Sequence, residues 1–462
     1  MLKRLMLKTL FSTAVIFSCV HATAIAQTAT AEVTQLPAVP NSIDLQDGDT
    51  FVFLGDSITH QRLYTQYVEN FFYQRFPERR IQFHNAGIGG ARAWDALARV
   101  SRDVLDYKPR YVSILLGMND GSYQPFNPEI FVTYKNDMNQ LVAKIRDAGA
   151  TPVLMSPTMF DSRAARLRQN PQRPRSAEML AEYNSVLAYY GRWLQDVAIE
   201  SGLSYVDMFG PLNDLTLEAR ESDPSFTMIK DAVHPDPPGQ VVMAFAMIDD
   251  LGLRSQLSNI RIQPMPNGTL KAFPAGGKVD YLKKTDNGIE FNWTAKGLPW
   301  VLPEEAQPGA KLLHLGHKAS KEGLEVHGLE TGTYEVVIDD VVVGKFSDVA
   351  LSRHIELQEN ALTPQYQQAL EVATLNKQKN EGPVKELRDG WRTFQSWARH
   401  DRDLEAQPNN KELQTVTEKE LARLQNLEET IQKAEAAAKQ IEDEIYKKNQ
   451  PVTRHYVIRK TN

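Results

Sequence analysis

The chain has one cysteine in 462 residues, Cys19, and it lies in a stretch expected to be removed. The mature protein then holds no disulfide, no thiolate nucleophile and no cysteine metal site. An exported chain without disulfides relies on core burial, which fits a bacterial periplasmic or secreted protein better than a small stapled domain. Positive charge is scarce as well. Lysine and arginine total 52 against 58 acids, a net charge of −6 that argues against a nucleic-acid partner. Long apolar runs are missing too. The N-terminal run from about Thr9 to Val20 is too short to cross a bilayer, so no transmembrane span is expected. It follows Lys3, Arg4 and Lys8 and precedes Ala24-Ile25-Ala26, which is the pattern of a signal peptide over residues 1–26. Its removal takes away three cations and no acid, moving the charge from −6 to −9. A lipoprotein anchor at Cys19 is less favoured, because Phe17 is bulky and the Ala-Ile-Ala site lies beyond it.

What remains is an ordinary globular composition, 42% hydrophobic and 24% charged, in a chain long enough for two or three domains. Residues 27–47 read as a linker. Over 48–255 short apolar runs alternate with amphipathic stretches of helical length. The expected strands are Phe51–Leu54, Ile81–Asn85, Tyr111–Leu116, Thr151–Ser156 and Ser204–Asp207. The expected helices are Gln61–Phe76, Trp94–Asp106, Pro128–Asp147 and Ala177–Ser201. This alternation predicts α/β architecture, a parallel sheet between two helical layers, with functional residues at the carboxyl ends of the strands. Over 256–356 the helical period vanishes and a small antiparallel β-domain is expected, with Gly323–Ile338 as a hairpin. Residues 357–462 read as a helical region opened by Thr363-Pro364. Its last helix, Asn410–Lys448, carries a heptad seam of Leu424, Leu427, Ile431, Ala434, Ala438, Ile441 and Ile445. Packing on its own domain is favoured over an intermolecular coiled coil, because two seam alanines bury little area. An oligomer through this helix is therefore not favoured.

Four strand ends carry candidate chemistry. Ser57 follows the first strand in Phe51–His60, FVFLGDSITH, at the entry to a helix. Asn85–Gly90, NAGIGG, follows the second, where glycines allow close backbone approach to a ligand. Asn119 follows the third in Gly117-Met118-Asn119-Asp120, with a side-chain amide able to donate to an oxygen. Asp231 and His234 lie three apart on a turn, a spacing that brings a carboxylate to Nδ1 and frees Nε2 as a base. Each stretch alone also reads as an ordinary turn or cap.

Together, and in this order, these stretches resemble the SGNH hydrolases, the GDSL esterase and lipase superfamily. The family's four marker residues fall on Ser57, Gly90, Asn119 and His234, with Asp231 as the acid in D-x-x-H-P. The resemblance implies a flavodoxin-like three-layer α/β/α domain over 48–255. It also implies acyl transfer to Ser57 with His234 as base and Asp231 orienting it. The oxyanion would be held by the Ser57 and Gly90 amides and the Asn119 side chain. No cofactor is implied, and His314 and His317 lack a third ligand for a metal. After Gly90 comes Ala91-Arg92, where many members carry Asp-Thr or Asp-Ser, which bears on substrate preference.

The substrate is expected to be an exported ester, foremost O-acetyl groups on a glycan. Lipase and lysophospholipase activity, O-acyl transfer with the same triad, and a non-catalytic glycan-binding or scaffold role are the alternatives. Arg92 is a candidate substrate contact. So are Arg163, Arg166 and Arg168, in an arginine-rich stretch with Arg173 and Arg175 that is placed on the rim and suits anionic oxygens. A solvated loop is the plainer reading of that stretch. Trp94 is expected to serve the helix core.

Overall fold

A run of residues buried on both faces must sit inside a sheet covered twice, and Thr50–Gly55 is such a run, buried at all six positions. In the structure, a computed structural model describing residues 37–40, 42–168, 172 and 174–461, this run is the second strand of a five-stranded sheet. The expected signal peptide, Cys19, most of the expected linker and Arg173 lie outside the described residues. The strands are β1 (Thr50–Gly55), β2 (Gln82–Gly87), β3 (Tyr111–Leu115), β4 (Thr151–Met155) and β5 (Ser204–Val206). All pair in parallel in the order β2-β1-β3-β4-β5. Between them run α1 (Ser57–His60), α2 (Leu63–Arg75), α3 (Ala93–Asp103), α4 (Pro128–Asp147), α5 (Ser162–Leu167), α6 (Ala177–Ser201), α7 (Gly210–Ser222) and α8 (Pro237–Asp250). This is the flavodoxin-like strand order. It reverses between β1 and β3, which opens a crevice at the carboxyl ends of those two strands.

The elements begin where capping chemistry allows. Asp56 accepts the Ile58 N–H at the start of α1, and Asn127 accepts Glu129 and Ile130 ahead of Pro128 at the start of α4. Ser176 caps α6, and Gly202 closes it in the left-handed region at φ +64°.

The next region holds β6 (Ser258–Pro264), β7 (Leu270–Ala275), β8 (Gly277–Thr285) and β9 (Gly288–Ala295). Then come α9 (Gln307–Leu313), α10 (Leu315–Ala319), β10 (Glu322–Val326), β11 (Thr333–Ile338), β12 (Val341–Ser347), α11 (Asp348–Arg353) and β13 (Ile355–Glu356). Helices α12 (Pro364–Glu381), α13 (Pro383–Ala406), α14 (Lys411–Arg423) and α15 (Leu427–Lys448) follow, and β14 (Arg454–Lys460) ends the series. Two sheets, β13-β10-β6-β7 and β12-β11-β14-β9-β8, share one core of Ile262, Leu324, Phe291, Trp293, Val336 and Ile458.

Gly323–Ile338 is not a hairpin. Its first strand, β10, pairs with β6 in parallel and with β13, while β11 pairs with β12 and β14 in the other sheet. The tight turn is Asp339-Asp340, with φ of +48° and +67°, the backbone of a two-residue hairpin loop. Residues 327–332, between β10 and β11, connect the two sheets. Thr363 caps α12 as its sequence predicts. The expected long last helix contains a 3-10 turn at Leu424–Asn426 between α14 and α15. Both segments thereby pack on α13, and α15 also meets α12. Seam residues Leu427, Ile431 and Ala434 are buried in the same core as the parallel sheet. Trp300 joins that core, donating Nε1–H to the Tyr67 carbonyl at 3.1 Å, and Trp293 lies between the β-sheets, so neither is a surface platform.

Candidate active site

The switch point places Ser57 and Asn119 side by side, because each follows a central strand directly. Ser57 Oγ lies 2.7 Å from His234 Nε2, and His234 Nδ1 lies 2.6 Å from Asp231 Oδ2. The other Asp231 oxygen accepts the backbone N–H groups of Val233 at 2.9 Å and His234 at 2.7 Å. Burial alone would raise the Asp231 carboxyl. These hydrogen bonds, foremost from the His234 ring, outweigh burial and lower its pKa to about 2. The same hydrogen bond raises the His234 pKa above 6.5 against the opposing effect of burial.

The loop carrying the pair is fixed at several points. Ala232 adopts φ +77°, which is strained for an alanine. Its carbonyl accepts the Asp161 N–H at 3.0 Å, and the Asp161 carboxylate binds Arg220 at 2.7 Å and Thr227 at 2.6 Å. Asp236 N–H donates to the Met228 carbonyl at 2.7 Å, closing the loop before α8.

Gly90 sits at φ +70°, a conformation glycine adopts without strain, between β2 and α3. Asn85 holds the base of this turn, accepting Gly87 N–H at 2.9 Å and donating to the Thr59 carbonyl at 2.9 Å. Among the described residues, neither the Ser57 nor the Gly90 N–H is used in a hydrogen bond. Asn119 Nδ2 donates to the Ala91 carbonyl at 3.1 Å and lies 3.4 Å from Asp56 Oδ2. Tyr123 donates to Asn119 Oδ1 at 3.1 Å, which fixes the amide with its nitrogen on the side of Ala91 and Asp56. Asp56 is buried and its pKa is raised to about 6, chiefly by desolvation. A serine, an imidazole and a carboxylate joined in this way, beside unpaired N–H groups, can deprotonate the hydroxyl and stabilise an oxyanion.

A cleft of about 300 Å³ opens beside Gly90 and Asn119, lined also by Arg92, Trp94, Asp95, Tyr123, Arg399 and Arg402. Trp94 is therefore half-buried at the mouth rather than in the core, with the Arg402 guanidinium 3.8 Å from its ring centroid. Arg92 is exposed and makes no ion pair among the described residues. The other arginines lie elsewhere. Arg163 and Arg166 line a separate cavity with Asn184 and Arg220 whose walls include none of Ser57, His234, Gly90 or Asn119. Arg168 donates to the Lys230 carbonyl at 2.6 Å, next to Asp231.

Sequence reasoning missed the contribution of α13. Gln395 donates to the Gly89 carbonyl at 3.1 Å, and Arg399 donates to the Gly90 carbonyl at 2.6 Å and to both Asp95 oxygens at 2.7 and 2.8 Å. Deeper, buried Arg388 makes a two-pronged pair with Asp103 at 2.8 and 2.9 Å. Asp103 also binds Arg99 at 2.5 Å and His84 at 3.2 Å. No local signal separates these arginines from solvated ones. Tyr123 carries only the weak hint of standing four residues past Asn119.

The sheet order defines a three-layer α/β/α domain of the flavodoxin-like type. Residues 53–242 match the GDSL-like Lipase/Acylhydrolase family. The chain is 26% identical over 226 residues to an acetylxylan esterase of Geobacillus stearothermophilus, covering 44% of this chain and 94% of the relative. A shorter match, 35% over 74 residues, covers 16% of this chain and 30% of an uncharacterized lipoprotein of Bacillus subtilis. The solved structure of a gut microbial diltiazem-metabolizing enzyme shares the fold, with a TM-score of 0.74 and 24% identity over 91% of this chain and 99% of that one. Residues 53–242 are thus a GDSL-like lipase/acylhydrolase domain of the SGNH hydrolase type, and the chain is an esterase.

Proposed function

We propose that this esterase removes O-acetyl groups from a carbohydrate by a Ser-His-Asp acyl-enzyme mechanism, acting outside the cytoplasm. The carrying observation is the unbroken line from Asp231 Oδ2 through the His234 ring to Ser57 Oγ, at 2.6 and 2.7 Å. In this reading His234 accepts the Ser57 proton as Oγ attacks the ester carbonyl, and returns it to the leaving alcohol. Asp231 holds the Nδ1–H tautomer and stabilises the imidazolium. The Ser57 and Gly90 N–H groups and the Asn119 amide hold the oxyanion. Water then attacks the acetyl-enzyme, giving its proton to His234, which passes it to Ser57 Oγ as the Oγ–acyl bond breaks and acetate leaves.

The carbohydrate reading draws on the acetylxylan esterase relative and on the polar cleft at Gly90. Arg92, beside Trp94, would contact the sugar-bearing alcohol. An alcohol with a carboxylate or sulfate would gain most from its unpaired guanidinium. Export draws on the N-terminal pattern; among the described residues no helix is long and apolar enough to cross a membrane.

The test is hydrolysis of acetylated polysaccharides, a p-nitrophenyl acetate-type ester and acyl lipids by the parent and by Ser57→Ala. The variant should keep the parent circular dichroism and lose all esterase activity. Retained activity would rule out Ser57 as nucleophile, and a parent preference for long acyl lipids would overturn the carbohydrate reading.

A further inference from the structure

We infer that α13, far downstream in the chain, backs the oxyanion hole, with Gln395 and Arg399 as positioning residues for the reaction at Ser57. The inference rests on the reading of Ser57 as nucleophile and Gly90 N–H as an oxyanion donor. In a planar trans peptide the C=O of one residue and the N–H of the next are fixed in opposite directions. The Gly90 N–H therefore points wherever the Gly89 C=O does not. Gln395 Nε2 holds that C=O at 3.1 Å from a side chain only 4% exposed. One turn along the same helix face, Arg399 holds the next carbonyl, that of Gly90, at 2.6 Å.

The turn needs such support. Two successive glycines give it the greatest backbone freedom of any dipeptide, and Gly90 is exposed. Within the turn the Ala91 N–H bonds back to the Ile88 carbonyl at 3.1 Å, which leaves the Gly89–Gly90 peptide plane to be set from outside. Arg399 is itself fixed by Asp95, whose Oδ2 also accepts the Arg92 N–H at 2.8 Å, so the start of α3 and the turn move as one piece. A donor to the Gly89 carbonyl also polarises the peptide and strengthens its N–H toward an anion. An arrangement that acts on the donor's direction affects the transition state more than the ground state, because the charge develops only on attack.

The test compares Gln395→Met, which keeps the stem without the donor, Gln395→Glu, which is isosteric, Arg399→Met and Arg399→Lys, with Ser57→Ala as the control. The readouts are kcat and KM on a p-nitrophenyl acetate-type ester, and Ki for a boronic acid that forms a tetrahedral adduct at the serine. Loss of a whole oxyanion donor costs about 10²–10³ in kcat, so a misdirected one should cost about tenfold. Gln395→Met is expected to lower kcat by about that factor with KM near the parent value, and to weaken the boronic acid by the same factor. Arg399→Lys should recover part of what Arg399→Met loses. If Gln395→Met does not fold, Gln395→Glu gives the same comparison. Parent kcat in folded Gln395 variants, or a kcat loss with unchanged Ki, overturns the inference while an inactive Ser57→Ala leaves the triad reading standing. An active Ser57→Ala overturns both.

Discussion

Asp231→Asn should damage the enzyme more than Asp231→Ala, although asparagine is the closer match in shape. Asp231 Oδ1 accepts two backbone N–H groups, from Val233 and His234, and cannot be replaced there by an NH2 group without setting donor against donor. The asparagine oxygen must take that place. Its NH2 then faces His234 Nδ1, which becomes an acceptor, and the proton moves to Nε2, facing Ser57. In that tautomer the ring cannot accept the serine proton. For triads of this connectivity the same exchange lowers kcat about 10⁴-fold. Here the Asp231 side chain is 57% exposed, so water competes for the ring, and the expected loss is about 10³-fold, or ~4 kcal/mol of transition-state stabilisation. Alanine leaves a wet gap in which the Nδ1–H tautomer survives, and the expected loss is smaller than for asparagine. The assay is kcat/KM on an activated acetate ester across pH. The base must be neutral, so parent activity falls as pH drops through the raised His234 pKa. Without the carboxylate that pKa falls, and the acid limb of both variants should move to lower pH. An asparagine variant more active than the alanine variant would refute the tautomer argument.

Asn119→Ala should lower kcat by about a hundredfold or more, measured on the same ester, through loss of one oxyanion donor. Asp120→Asn should flatten the pH dependence of stability. The Asp120 carboxyl is buried, one oxygen has no partner, and burial raises its pKa from 3.8 to about 7. The folded state then keeps a proton that the unfolded state has lost. Its stabilising effect is whole below the ordinary value and fades as pH rises to about 7, so the parent's urea midpoint should fall between about pH 5 and about pH 8 more than the variant's. Arg388→Met should destabilise by about 1.5–3 kcal/mol in urea titrations, because it removes two charge-assisted hydrogen bonds from buried Asp103, which keeps Arg99 and His84 as partners. A midpoint near the parent's would mean that Arg99 and His84 alone satisfy Asp103.

The parallel sheet was legible because each strand is a short apolar run with a turn at its carboxyl end, and the Ser57, Gly90 and Asn119 motifs occupy three of those turns. Asp231 and His234 follow no strand: they stand on the loop between α7 and α8, which the Ala232–Asp161 and Asp236–Met228 hydrogen bonds hold beside Ser57. The two β-sheets were not legible in detail. Alternating runs such as Glu322–Val326 and Thr333–Ile338 specify a buried face but not a partner, and their neighbours in sequence lie in different sheets. The arginines divide in the same way. Arg92 was placed by its distance from Gly90, whereas Arg388 and Arg399 act through pairings about 300 residues away in sequence, which no local pattern encodes.

Strand β14 has a consequence for the order of assembly. It lies between β9 and β11 and bonds to both, yet it leaves the ribosome after them and after the five helices α11–α15. Until it arrives, two strand edges stand open at the middle of the sheet, each a template for pairing with another chain. A chain cut before Arg454 would keep most of its core residues and still be a candidate for aggregation. Faithful synthesis of β14 should therefore govern soluble yield more strongly than its distance from Ser57 would imply.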